Sequence, residues 1–120
     1  MANMGQVIHI PGLVAGASLT AQQYKAVKFA STAGEVIAAS AVGGANIGIL
    51  LNDPADGQAA EIAGAGSIVP AIAATSTIAQ GNYVAPNSTG LINTSVQKFG
   101  IALEASGAVG DIITVQVLVF

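Results

Sequence analysis

The residues able to catalyse a reaction or hold an ion are few, and three of them cluster. The stretch ILLNDPADGQAAEI (49–62) carries Asp53, Asp56 and Glu61. A calcium loop of the EF-hand type needs oxygen ligands at alternate positions and a glutamate at the twelfth. Counted from Asp53, the twelfth residue is Gly64, and Pro54 interrupts the loop. A glycosidase-like carboxylate pair would need a cleft and aromatic rings to stack on the sugar, and only 4% of the residues are aromatic. Turn chemistry accounts for the whole stretch. Asn and Asp side chains bond nearby backbone, Pro54 presets φ, and Gly57 accepts a positive φ. The carboxylates are therefore expected at a corner between two strands, with Glu61 facing solvent or a partner.

His9 is the sole histidine. A catalytic triad would need it beside a nucleophile and an orienting acid. Gly16-Ala17-Ser18-Leu19-Thr20 lacks the closing glycine of a nucleophile elbow. Gly43-Gly44-Ala45-Asn46-Ile47-Gly48 lacks the Lys-Ser/Thr of a phosphate loop, and Gly64-Ala65-Gly66 lacks the third glycine of a dinucleotide fingerprint. There is no cysteine, which removes disulfides, thiolate metal sites and cysteine nucleophiles. The expectation is a non-enzyme with no cofactor and no metal.

The elements that would position any site must come from an unusual composition. The chain has 120 residues, 52% of them hydrophobic and 8% charged. A soluble domain is usually about 25% charged. The apolar content is mostly small: 24 alanines stand beside 15 glycines. A surface so poor in charge tends to associate, so much of it is expected to be covered by partners. Net charge is −3, there is no arginine, and Lys25, Lys28 and Lys98 are the only lysines. Phosphate backbones are held by many cationic contacts, so nucleic acid is not an expected partner. The N-terminal MANMGQVIHIPGLVAGA has no basic leader and is broken by Pro11-Gly12, unlike a secretory signal. No run approaches the ~20 apolar residues of a membrane helix.

Short β-branched segments bounded by Gly, Pro, Asn and Asp predict an all-β fold, a small barrel or sandwich of short antiparallel strands. Residues 1–17 form an N-terminal arm or first strand, and 18–120 a single β domain. Expected strands are Gln6–Ile10, Tyr24–Phe29, Glu35–Ala39, Ile47–Leu51, Gln58–Ala63, Ser67–Ile72, Asn82–Ala85, Leu91–Thr94, Phe99–Glu104 and Asp111–Phe120. In Tyr24–Phe29, Lys25, Val27 and Phe29 alternate against Tyr24, Ala26 and Lys28. Pro86–Gly90 reads as a hairpin loop. Thr20-Ala21-Gln22-Gln23 matches a capping box, which allows at most one short helical turn, or alternatively a longer helix over 20–30. A faint repeat is visible. Gly48-Ile49-Leu50-Leu51 resembles Gly100-Ile101-Ala102-Leu103, and Gly34-Glu35-Val36-Ile37 resembles Gly90-Leu91-Ile92-Asn93.

The order of motifs carries a further likeness. SLTAQQYKAVKF (18–29), GEVIAAS (34–40), IGILLNDPADGQAAEI (47–62), TIAQGNYVAPNSTGLI (77–92) and FGIALEASGAVGDIITVQV (99–117) together resemble the small β-rich capsid decoration, or cement, proteins of tailed bacteriophages. Gln23-Tyr24 with Val27-Lys28, and Asn52-Asp53-Pro54 with Gly57, are the most specific pieces. Asn82 departs from the pattern, where an acid is usual. The resemblance implies a β module that attaches outside an assembled head, often as a trimer, with no catalytic residues. The implied partner is the major capsid protein, and the implied location is the virion exterior after synthesis in the host cytoplasm. The arm residues Gln6, Val7, Ile8, His9 and Ile10 are the expected capsid or intersubunit contact, because an extended end can add a strand to a neighbour's sheet. The alternative is a receptor- or glycan-binding module of a virion fibre, using Tyr24, Tyr83 or Phe99.

Overall fold

Two residues set the path of the chain between Leu19 and the second strand. Ala21 has φ +71° and Tyr24 has φ +67°. That is the left-handed region, which a right-handed helix cannot contain. The helical turn allowed at Thr20–Gln23, and the longer helix over 20–30, are thus replaced by turns in which Gln22 N–H donates to Leu19 C=O and Lys25 N–H to Gln22 C=O. The computed structural model describes residues 5–39, 46–87, 89–95 and 98–118, and among these every regular element is a strand. Val119, Phe120, Ser88 and Gly43–Ala45, which the expected last strand, hairpin loop and glycine-rich stretch include, lie outside the described residues.

Among the described residues, ten strands form two five-stranded sheets. The first holds β1 (Val14–Ala15), β2 (Ala26–Phe29), β3 (Glu35–Ala38), β4 (Asn46–Leu50) and β5 (Ile62–Ala63), in the order β1-β3-β2-β4-β5. The second holds β6 (Ile68–Ile72), β7 (Tyr83–Pro86), β8 (Ile92–Thr94), β9 (Gly100–Ala102) and β10 (Ile112–Val117), in the order β6-β10-β9-β7-β8. All ladders are antiparallel except β1 with β3. Each sheet curls until its ends touch. Val14 of β1 also bridges Ala59, and Ala73 after β6 bridges Ile92 of β8.

The faint repeat is real in three dimensions. Ala26 pairs with Ile49 as Tyr83 pairs with Ile101. Phe29 pairs with Val36 as Pro86 pairs with Ile92. Ala15 meets Val36 in parallel as Ala73 meets Ile92. The irregular bonds repeat too: Tyr24 N–H to Leu50 C=O matches Gly81 N–H to Ala102 C=O, and Gly57 N–H to Ala15 C=O matches Gly110 N–H to Ala73 C=O. Left-handed residues fall at matching places, Tyr24 with Gly81, Gly34 with Gly90, and Gly57 with Gly110.

Three expected strands differ. Gln58–Ala63 is a strand only at Ile62–Ala63, because 57–60 bonds to the arm at 13–15 instead. Gln6–Ile10 makes one isolated bridge, His9 with Ala63, since its backbone bonds to several segments in turn. In β2 the register shifts between Val27 and Lys28. The bulge is against β4 only. Against β3, Val27 stands opposite Ala38 and Phe29 opposite Val36, so the two share a face as expected, with Val27 buried and Phe29, at the strand end, 50% exposed.

Two cores result. Ala15, Leu19, Val27, Val36, Leu50, Ala60 and Ile62 fill the first. The second is larger and includes Val69, Val84, Ile92, Phe99, Ile113, Val115 and Val117. It also takes Ala26, Ala39, Ile49 and Ala63 from the first sheet. Neighbours along a strand point to opposite faces, so Ala26 and Val27, or Ile49 and Leu50, serve different cores. The first sheet is thus buried on both sides, and its alanines let the second half approach closely.

Gly48 lies directly under Ala63 C=O, where an added Cβ would collide with backbone. Gly12 has open space around it but φ +82°. Gly48→Ala should therefore cost roughly 3 kcal/mol or more, as overpacking against rigid backbone. Gly12→Ala should cost only about 1 kcal/mol, the left-handed penalty. Urea unfolding midpoints of the two variants check the difference.

Candidate functional site

The acidic stretch folds as a turn. Asn52 Oδ1 accepts the Glu61 N–H at 3.1 Å, and Asn52 Nδ2 donates to Ala59 C=O at 3.2 Å. Gln58 Oε1 accepts the Ala55 N–H. Asp53 reaches further: its Oδ1 accepts the Gln23 N–H at 2.9 Å, while Gln23 Nε2 donates to Leu51 C=O at 2.9 Å. Asp53 thus holds the turn that precedes β2. Asp53, Asp56 and Glu61 are exposed, and no group of three potential metal ligands occurs among the described residues.

The second half carries the matching corner with a carboxylate in place of the amide. Glu104 Oε1 accepts the Thr114 N–H at 2.7 Å and the Thr114 hydroxyl at 2.9 Å. Partial burial pushes the Glu104 carboxyl up, but the hydrogen bonds from Thr114 help to hold it below its ordinary value. Asp111 is similarly occupied, its Oδ2 accepting the N–H groups of Gly107 and Ala108.

The arm is bonded along its length to its own chain. Gly5 N–H donates to Ile68 C=O, Ile68 N–H to Gln6 C=O, Gly64 N–H to Ile8 C=O, and Ile10 N–H to Ile62 C=O. Ser67 Oγ accepts the Ile8 N–H at 2.8 Å and donates back to Ile8 C=O at 3.3 Å. The arm therefore laces the end of the first half to the start of the second. Val7 packs on the second core and Ile10 on the first. Gln6, Ile8 and His9 face outward, and Ile8 is 45% exposed. The five expected contact residues are thus split between two cores and the surface.

Of a second surface the sequence singled out only Tyr83. On the outer side of the second sheet, Tyr83 pairs with Ile101, Ile101 with Gln116, and Leu103 N–H bonds Thr114 C=O. Tyr83, Leu103 and Ile112 are exposed, and Lys98 Nζ lies 5.0 Å from the centre of the Tyr83 ring. The signal existed in the alternation of β10 and in the repeat, whose counterparts Ile49 and Leu51 are packed inside. Of the aromatics expected to bind a glycan, Phe99 is buried and Tyr24 half-buried, which leaves Tyr83.

A carboxyl held low when folded stabilises fully above its unfolded value and loses that contribution as pH falls through the lower folded one. For Glu104 the unfolded reference is 4.5. Wild-type stability should fall more steeply than that of Glu104→Gln when pH drops below this point, and the two curves should run parallel near neutrality. Chemical unfolding from neutral pH into the acid range reads this.

Compared with known families and curated proteins, the chain matches no family model and no curated sequence.

Proposed function

We propose that this chain is a bacteriophage capsid decoration, or cement, protein. It attaches as a homotrimer to the outer surface of the assembled head and clamps neighbouring major-capsid subunits against the pressure of packaged DNA. The observation that carries this reading is the surface. Only 8% of the residues are charged, while Ile8, Phe29, Tyr83, Leu103, Val109 and Ile112 stand exposed on the two sheets and their connections. A protein that works by adhesion needs such surface on a framework that does not deform. Burying roughly 300 Å² of it at about 25 cal/mol per Å² contributes about 7 kcal/mol before association costs. Three linked copies then add avidity.

The outward side chains of the arm, Gln6, Ile8 and His9, are the proposed shell contact. Deleting residues 1–10 should weaken head binding, but it also removes the lacing between the halves. The diagnostic variant is therefore Ile8→Asp.

Wild-type protein mixed with undecorated, expanded heads should cosediment with them. Ile8→Asp should bind about tenfold more weakly, as for loss of one interface anchor, with an unchanged circular dichroism spectrum. Failure of the wild type to sediment with heads rejects the reading. Binding to a glycan array instead would favour the fibre module.

A further inference from the structure

The two halves of the chain are joined by a contact whose two sides recur, unused, elsewhere on the molecule. In the first half, the seam between β1 and β3 is closed by its own bond, Val14 N–H to Gly34 C=O at 3.0 Å. The matching groups of the second half are Ile72 N–H and Gly90 C=O. They do not bond each other. Ile72 N–H donates to Tyr24 C=O at 3.0 Å, and Gly90 C=O accepts from Ala26 N–H at 2.9 Å. The segment Tyr24–Ala26 is wedged into that seam, and Ile49, Ala63 and Ala26 accompany it into the second core.

The wedge of the first half has a counterpart in the second, Gly81–Tyr83, with Ile101 and Leu103 standing where Ile49 and Leu51 stand. That counterpart is uncovered: a Cβ added at Gly81 would meet nothing within 4 Å, and Tyr83 and Leu103 are exposed. The seam of the second half likewise has a counterpart in the first, and it too is uncovered. A Cβ added at Gly90 would meet Ala26 C=O and Lys25, but one added at its counterpart Gly34 would meet nothing within 4 Å, and Gly34 is exposed. Beside that seam, Leu13, Ala38 and Ile47 are only partly buried against the first core.

We infer that copies of this chain associate head to tail, with the Gly81–Tyr83 edge and the Ile101–Leu103 face of one copy seated at the Val14–Gly34 seam of the next. The occupant is a second copy because the chain already makes this contact once within itself and retains one uncovered wedge and one seam closed by the single Val14–Gly34 bond. Opening the seam breaks one backbone bond and allows two to form. A contact between unlike surfaces closes into a ring or grows as a filament. The contact would supply the subunit interface of the proposed homotrimer and rests on that part of the reading, but it forms without any shell, so self-association and head binding are read separately.

The test uses the full chain without heads. Sedimentation velocity of the wild type should show concentration-dependent association, and Leu103→Glu should weaken it about tenfold while the protein stays folded by circular dichroism. Because the chain lacks cysteine, Ala33→Cys and Tyr83→Cys variants can be cross-linked cleanly. A short bismaleimide should give covalent dimers when the two variants are mixed and not with either alone. A wild type that stays monomeric at every concentration, or cross-links that form within single-variant samples, overturns the inference.

Discussion

Two backbone hydrogen bonds organise this molecule, those that Tyr24 C=O and Ala26 N–H make with Ile72 N–H and Gly90 C=O. A polar backbone group buried without a partner costs about as much as a lost hydrogen bond. Once β2 enters the seam of the second half, both sides must therefore stay matched. The rest of the arrangement serves that entry. The left-handed Tyr24 aims the chain at the seam, Gly90 leaves room for Ala26 C=O and Lys25, and Asp53 fixes the preceding turn through Gln23 N–H. The arm then laces over the same junction through Ile8 and Ser67.

This contact also explains why a duplicated chain is not symmetric. The halves share much of their register, yet the first core is small and the second large. One half lends its outer face to the other. Alanine is the residue that makes the loan possible, at Ala26, Ala39 and Ala63, where the matching positions of the second half are Tyr83, Ser95 and Gln116. Those larger and more polar side chains suit a face that meets water or another chain. The same substitution distinguishes Asn52 from Glu104, each receiving the matching backbone N–H at its corner, one neutral and one charged.

For a protein proposed to act by adhesion, stiffness and stickiness must come from different groups. The backbone and the small side chains supply stiffness by closing each sheet on itself. The few large apolar side chains left outside, Ile8, Leu103 and Ile112 among them, supply contact area. With six carboxylates and three lysines in the chain, long-range charge contributes little to partner choice, and shape and apolar fit carry it.

Local chemistry was legible in the sequence because it depends on neighbours along the chain. The Asn52–Gly57 corner, the hairpin at Asn87 and the all-β class all stem from turn residues and period-two alternation. The repeat showed faintly, through Gly34 and Gly90 and through Gly48-Ile49 and Gly100-Ile101. Tertiary structure alone decided the helix-free turn at Ala21–Tyr24, the bulge at Val27, and the split of Gln6–Ile10 between two cores and the surface. It also decided which of two matching faces is covered. Alternation tells that two faces exist, but which one meets water depends on a partner far away in the chain, and a seam between distant strands leaves no mark on its neighbours in sequence.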